Sequence, residues 1–161
     1  MKLTEANALA RTAAYCSKAE RCESDILKKL AGWELTGEEQ LRIIARLRKE
    51  KFLNEERYCR SFVKDKVRFN KWGKVKIIFE LRKKQISQNL IDQCLTELDE
   101  DEFNNSLESI LIIKNKSVKA VSNYERRTKL LRFALSRGFS LQESQKVLNK
   151  ILKQTDDEKY F

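Results

Sequence analysis

One pattern recurs three times along this chain. An apolar helical stripe, a short gap, an apolar residue, a hydroxyl residue and a second apolar stripe follow one another in that order. In the first copy Ile26, Leu27 and Leu30 lead to Leu35 and Thr36, then to Leu41, Ile44 and Leu47. In the second, Ile77, Ile78 and Leu81 lead to Ile86 and Ser87, then to Leu90, Ile91 and Leu95. In the third, Leu130, Leu131 and Leu135 lead to Phe139 and Ser140, then to Val147, Leu148 and Ile151. The apolar residue ahead of the hydroxyl stands at 35, 86 and 139, spacings of 51 and 53. Self-similarity at a near-constant period marks tandem structural units, and stripes at helical spacing are read as core.

Each hydroxyl suits a helix N-cap, where a side-chain oxygen accepts from a free N–H of the first turn. Thr36 with Glu39, and Ser140 with Glu143, complete the capping box. Asn54, followed by Glu55 and Glu56, predicts another helix start; that helix is expected to run to Asn70 with Tyr58, Phe62 and Phe69 on its inner face. With no proline and only four glycines in 161 residues, the chain is short of the turn formers that many short strands require. The expected fold is all-α, an elongated tandem array of three three-helix repeats over 1–51, 52–99 and 100–161, the last carrying a short tail from Gln154. Units of about 50 residues bury too little surface to stand alone, so neighbours are expected to pack on one another. Residues 114–123, basic at Lys114, Lys116 and Lys119, read as a longer and mobile connection inside the third repeat.

The chain has no histidine, which removes the commonest general base and every Ser-His or Cys-His nucleophile arrangement. Cys16, Cys22, Cys59 and Cys94 contain no C-x-x-C pair, so the paired spacing of a zinc site is missing. They are read as buried thiols in a reducing compartment. No catalytic residue, metal or cofactor is assigned, and a non-enzymatic role is expected. Residues 1–11 carry charges and no apolar run, and no later stretch approaches the ~20 apolar residues of a membrane span; the expected location is the cytoplasm.

Charge points to a partner. The 34 basic and 24 acidic residues leave a net charge of +10, and the excess is local. Between Arg57 and Lys84 eleven basic residues face only Asp65 and Glu80, a net of +9 over 28 positions. Concentration of this kind suits a polyanion, either nucleic acid or an acidic protein surface. Asp99, Glu100, Asp101 and Glu102 form an acidic knot, read as a solvated linker between the second and third repeats rather than a metal site.

The stretch 51–86, KFLNEERYCRSFVKDKVRFNKWGKVKIIFELRKKQI, resembles the signature of the RecX family of RecA regulators. Leu53, Asn54, Glu55, Arg57, Tyr58 and Cys59 sit on that family's frame of apolar pair, capping residue, acid, arginine, aromatic and small residue. Gly73, Lys76, Ile77, Leu81, Lys83 and Lys84 match the helix that follows. Residues 8–50, with Tyr15 and Leu30, are similar to the family's first repeat, and 126–152, with Arg126, Arg127, Arg137, Gly138 and Phe139, to its third. Where the family carries a glycine that closes the basic helix in a left-handed conformation, this chain has Gln85.

The resemblance implies a protein that lodges in the deep groove of the RecA filament on single-stranded DNA, opposes filament growth, and damps strand exchange, ATP hydrolysis and co-protease function. The residues provide a candidate surface for RecA or DNA. Arg60, Lys64 and Arg68 form one ridge of the helix after Asn54, and Arg57, Lys64 and Lys71 an adjoining row. Lys74, Lys76, Arg82, Lys83 and Lys84 follow on the next helix, with Trp72 between the two beside Gly73. Basic side chains with one exposed aromatic suit phosphate contacts and stacking, although packing in the turn outweighs stacking as the expected role of Trp72, and more so of Trp33. A monomer partnering RecA and single-stranded DNA is expected. The alternatives are a plain helix-turn-helix-like DNA-binding protein acting without RecA, and a metal-dependent nuclease built on the acidic knot.

Overall fold

A computed structural model of the protein describes residues 1–159, with side chains through Lys153. Among the described residues the secondary structure is entirely helical: α1 (Glu5–Lys18), α2 (Glu23–Ala31), α3 (Gly37–Lys49), α4 (Glu55–Arg68), α5 (Lys74–Lys83), α6 (Gln88–Thr96), α7 (Glu100–Ser117), α8 (Asn123–Ser136) and α9 (Leu141–Lys159). The helices follow one another in three triplets.

The expected helix starts are made by local contacts. Glu39 N–H donates to Thr36 Oγ1 at 3.1 Å, Arg57 N–H to Asn54 Oδ1 at 2.8 Å, Leu90 N–H to Ser87 Oγ at 3.3 Å and Glu143 N–H to Ser140 Oγ at 3.1 Å. Both capping boxes close, with Thr36 N–H donating to Glu39 Oε1 and Ser140 N–H to Glu143 Oε2. Thr4, Asp99 and Ser122 cap α1, α7 and α8 in the same way.

The repeat is also written in the backbone. Glu34, Gln85 and Gly138, each immediately before the closing apolar residue, all adopt positive φ, at 55°, 61° and 94°. A left-handed residue there reverses the chain after the second helix of each triplet, and Ile86 N–H and Phe139 N–H then reach back to Leu81 and Ala134 carbonyls at 3.1 and 3.3 Å. Gln85 thus takes the conformation that the family assigns to glycine.

Packing gathers the chain into two compact units, 1–62 with 81–94 and 63–80 with 95–161. The division passes through α4, α5 and α6, so the second triplet contributes to both. The first unit is centred on Ala8, Ile26, Leu30, Ile43, Ile44, Leu47 and Leu53, with Tyr15, Trp33 and Leu35 packed against them. The second is centred on Leu107, Leu111, Leu130, Ala134, Phe139, Leu148 and Ile151.

In the second unit two glycines allow backbones to touch. Gly73 N–H donates to the Arg137 carbonyl at 2.8 Å, and Val75 N–H, free in the first turn of α5, donates to the Gly138 carbonyl at 2.9 Å. A Cβ on Gly73 would stand 2.4 Å from the Gly138 oxygen, and one on Gly138 would stand 2.3 Å from Lys76 Cβ. Gly138 is therefore the one closing residue that needs glycine for space as well as for φ.

Several expectations change. α4 ends at Arg68, and Phe69 is 81% exposed. The buried stripe Cys59, Val63 and Val67 sets the inner face of α4, and Phe69 lies about 120° around the helix from Val63. Leu41 and Leu135 are also exposed, Ile43 taking the inward place in α3. The connection expected over 114–123 is helical to Ser117, leaving only 118–122, where Val118 packs on the core and Lys129 Nζ donates to the Lys119 carbonyl at 2.7 Å. The tail expected from Gln154 lies within α9 as far as Lys159, while Tyr160 and Phe161 are outside the described residues. Three of the four free cysteines are buried as expected, and Cys16 is half-buried.

Candidate functional site

The basic run divides between the two units. In the first, Arg57 pairs with Glu20 at 2.5 Å and donates to the Lys51 and Phe52 carbonyls, so it anchors the entry to α4. Arg60 pairs with Glu56 one turn earlier, at 2.8 Å. Lys84, after α5, reaches Asp25 in the first turn of α2 at 2.5 Å. Burial raises the Asp25 carboxyl, but hydrogen bonds from Lys84 and the Cys22 N–H outweigh it, and its pKa lies below the ordinary value. The hydrogen bond to Asp25 raises the Lys84 ammonium. Arg82 and Lys83 are exposed.

In the second unit the acidic knot stands at the junction of α6 and α7 with Asp99, Glu100 and Asp101 exposed as expected, but it also makes specific contacts. Asp99 caps α7, Glu102 pairs with Arg68 at 3.2 Å and Glu100 pairs with Lys74. Acids in the first turn suit the positive end of the helix dipole, and the same turn neutralises two cations of the candidate surface. Among the described residues no group of three or more Cys, Asp or Glu is placed to hold a metal ion.

Trp72 is half-buried rather than openly exposed. Lys66 Nζ and Lys76 Nζ lie 4.8 and 4.5 Å from its ring centroid, and its backbone N–H donates to the Lys66 carbonyl at 3.0 Å. Stacked cations of this kind hold the ring and present charge over it. Together with the half-buried Lys64 and Lys71, the α4–α5 turn keeps a local positive surface. Of the eleven predicted residues, Lys66 being outside that set, Arg57, Arg60, Arg68, Lys74 and Lys84 are engaged by carboxylates.

A second cationic and aromatic group lies in the first unit, on residues that sequence reasoning did not select. Arg11, Ala14, Tyr15 and Lys18 of α1, with Lys29 and Trp33 of α2 and its following turn, line a cavity of about 460 Å³. The signal was present as spacing: Arg11, Tyr15 and Lys18 fall on one face of α1, and Lys29 stands four before Trp33.

Residues 54–95 match the family described as RecX, second three-helix domain. The regulatory protein RecX of Clostridium acetobutylicum is 29% identical over 154 residues, covering 92% of this chain and 71% of that protein. That of Clostridium tetani is 29% identical over 142 residues, covering 86% of this chain and 64% of its own length. The fold is that of a crystal structure of regulatory protein RecX, with a TM-score of 0.82 at 24% identity over 90% of this chain and 73% of the other. RecX from Lactobacillus salivarius gives a TM-score of 0.80 at 18% identity, over 91% and 95% of the two chains. The capped triplets, the left-handed closing residues and these similarities agree in supporting the RecX family.

Proposed function

We propose that the protein is a non-enzymatic regulator that binds the groove of the RecA filament on single-stranded DNA and inhibits RecA's recombinase, ATPase and co-protease activities, thereby modulating DNA repair. The observation that carries this reading is that the match to the RecX second three-helix domain, 54–95, falls on the most basic stretch of the chain. Lys64, Lys71 and Lys76 around the α4–α5 turn are the cations that this role would use, since Arg68 and Lys74 are held by α7. The protein acts in this reading as a cytoplasmic monomer, touching DNA directly or through RecA, and needs no cofactor.

The test is ATP hydrolysis by RecA from the same source on single-stranded DNA, with this protein added below stoichiometry. Inhibition is the expected result, weakened in the folded triple variant Lys64→Glu, Lys71→Glu, Lys76→Glu. No effect on hydrolysis, combined with tight sequence-selective binding to DNA alone, would replace the reading with the plain helix-turn-helix-like DNA-binding protein.

A further inference from the structure

The cavity between α1 and α2 collects positive charge without the acids that offset it elsewhere. Tyr15 lies beneath two cations, with Arg21 Cζ 3.8 Å and Lys29 Nζ 4.0 Å from its ring centroid, and Arg11 Cζ is 5.9 Å from the Trp33 ring. Among the described residues Arg11, Lys18, Arg21 and Lys29 form no ion pair with a carboxylate, whereas Arg42, Arg46, Arg48 and Arg57 of the same unit all do. Trp33 is half-buried against the core, which fixes its ring while part of it faces the cavity.

Unpaired cations beside a fixed indole meet two needs of one ligand class. Phosphates require cations that can release their counterions, and an unstacked base requires a flat π surface. Acidic side chains would satisfy the cations but leave the indole without a flat partner, and the lining offers only Ala14 as an aliphatic contact for a peptide anchor. We infer that this α1–α2 cavity is a binding site for single-stranded nucleic acid, with Arg11, Lys18 and Lys29 holding phosphates and Trp33 receiving a base. The site needs no RecA, and it lies on residues distinct from those of the proposed filament surface, so the two can fail separately.

Trp33 reports on its own cavity once the other tryptophan is removed. In full-length protein carrying Trp72→Phe, an oligothymidylate titrated at low salt is expected to quench the remaining tryptophan emission to saturation. Adding Arg11→Gln and Lys29→Gln, both on exposed residues, is expected to weaken binding by more than about tenfold and to reduce the salt slope by about 1.4, since each single-strand phosphate contact contributes about 0.7. Circular dichroism identical to the parent's keeps folding out of the comparison. Absence of quenching, or unchanged affinity and slope in the folded double variant, would overturn the site. Oligoglutamate of equal charge that binds as tightly and quenches equally would overturn the assignment to nucleic acid in favour of an acidic protein segment.

Discussion

Gly73→Ala is the substitution whose cost is most directly written in the structure. The added Cβ would meet the Gly138 oxygen at 2.4 Å, the Gly138 carbonyl carbon at 2.5 Å and the Phe139 nitrogen at 2.7 Å. All three are backbone atoms, so no side chain can swing away, and the segments must part by about 1 Å to reach ordinary contact. Overpacking of that kind costs about 1–3 kcal/mol. Parting also lengthens the Gly73–Arg137 and Val75–Gly138 hydrogen bonds, each worth about 1 kcal/mol net. Alanine recovers about 0.4–1 kcal/mol by restricting the unfolded chain. The balance is a loss of about 2–4 kcal/mol, which for a chain of this length lowers Tm by about 5–15 °C. Thermal unfolding followed by circular dichroism at 222 nm reads this, with Gly37→Ala as control because a Cβ there meets nothing within 4 Å. A Gly73→Ala protein that melts within about 2 °C of the parent would refute the argument from backbone contact.

Two further predictions concern single residues. Lys84→Met leaves the Asp25 carboxylate without its partner; because the folded Asp25 pKa lies below the unfolded one, the pair's contribution is present above the ordinary carboxylate pKa of about 4 and is lost as pH falls through the folded value. Denaturant unfolding should therefore show a gap between variant and parent at neutral pH that closes in acid, and a gap independent of pH would remove the pair as its cause. Gln85→Gly relieves a side chain held at φ 61°, and after the entropy cost of glycine it is expected to raise stability by up to about 1 kcal/mol; a lowered Tm would show that the Gln85 side chain contributes contacts of its own.

The helices and their order follow from local residue pattern. Thr36, Asn54, Ser87 and Ser140 each accept from an N–H three residues on, a contact complete within one turn that depends on nothing distant. The closing motif is equally local, which is why positions 35, 86 and 139 align on residue type and spacing alone. Tertiary structure decided which charges remain available. Arg68 meets Glu102 across 34 positions, Lys84 meets Asp25 across 59, and Lys74 meets Glu100 across 26; a count of charge along the chain registers the cations but not the acids that packing delivers to them. The same holds for aromatic residues. Phe69 and Phe62 follow the same apolar pattern as the buried Val63 and Val67, yet the angle around the helix and the position of its end leave Phe69 in solvent. Trp33 and Tyr15 became a cationic cavity only when α1 packed against α2. Caps and periods arise from neighbours one turn away, whereas ion pairs, cavities and the Gly73–Gly138 approach depend on distances that exist only after the helices have packed.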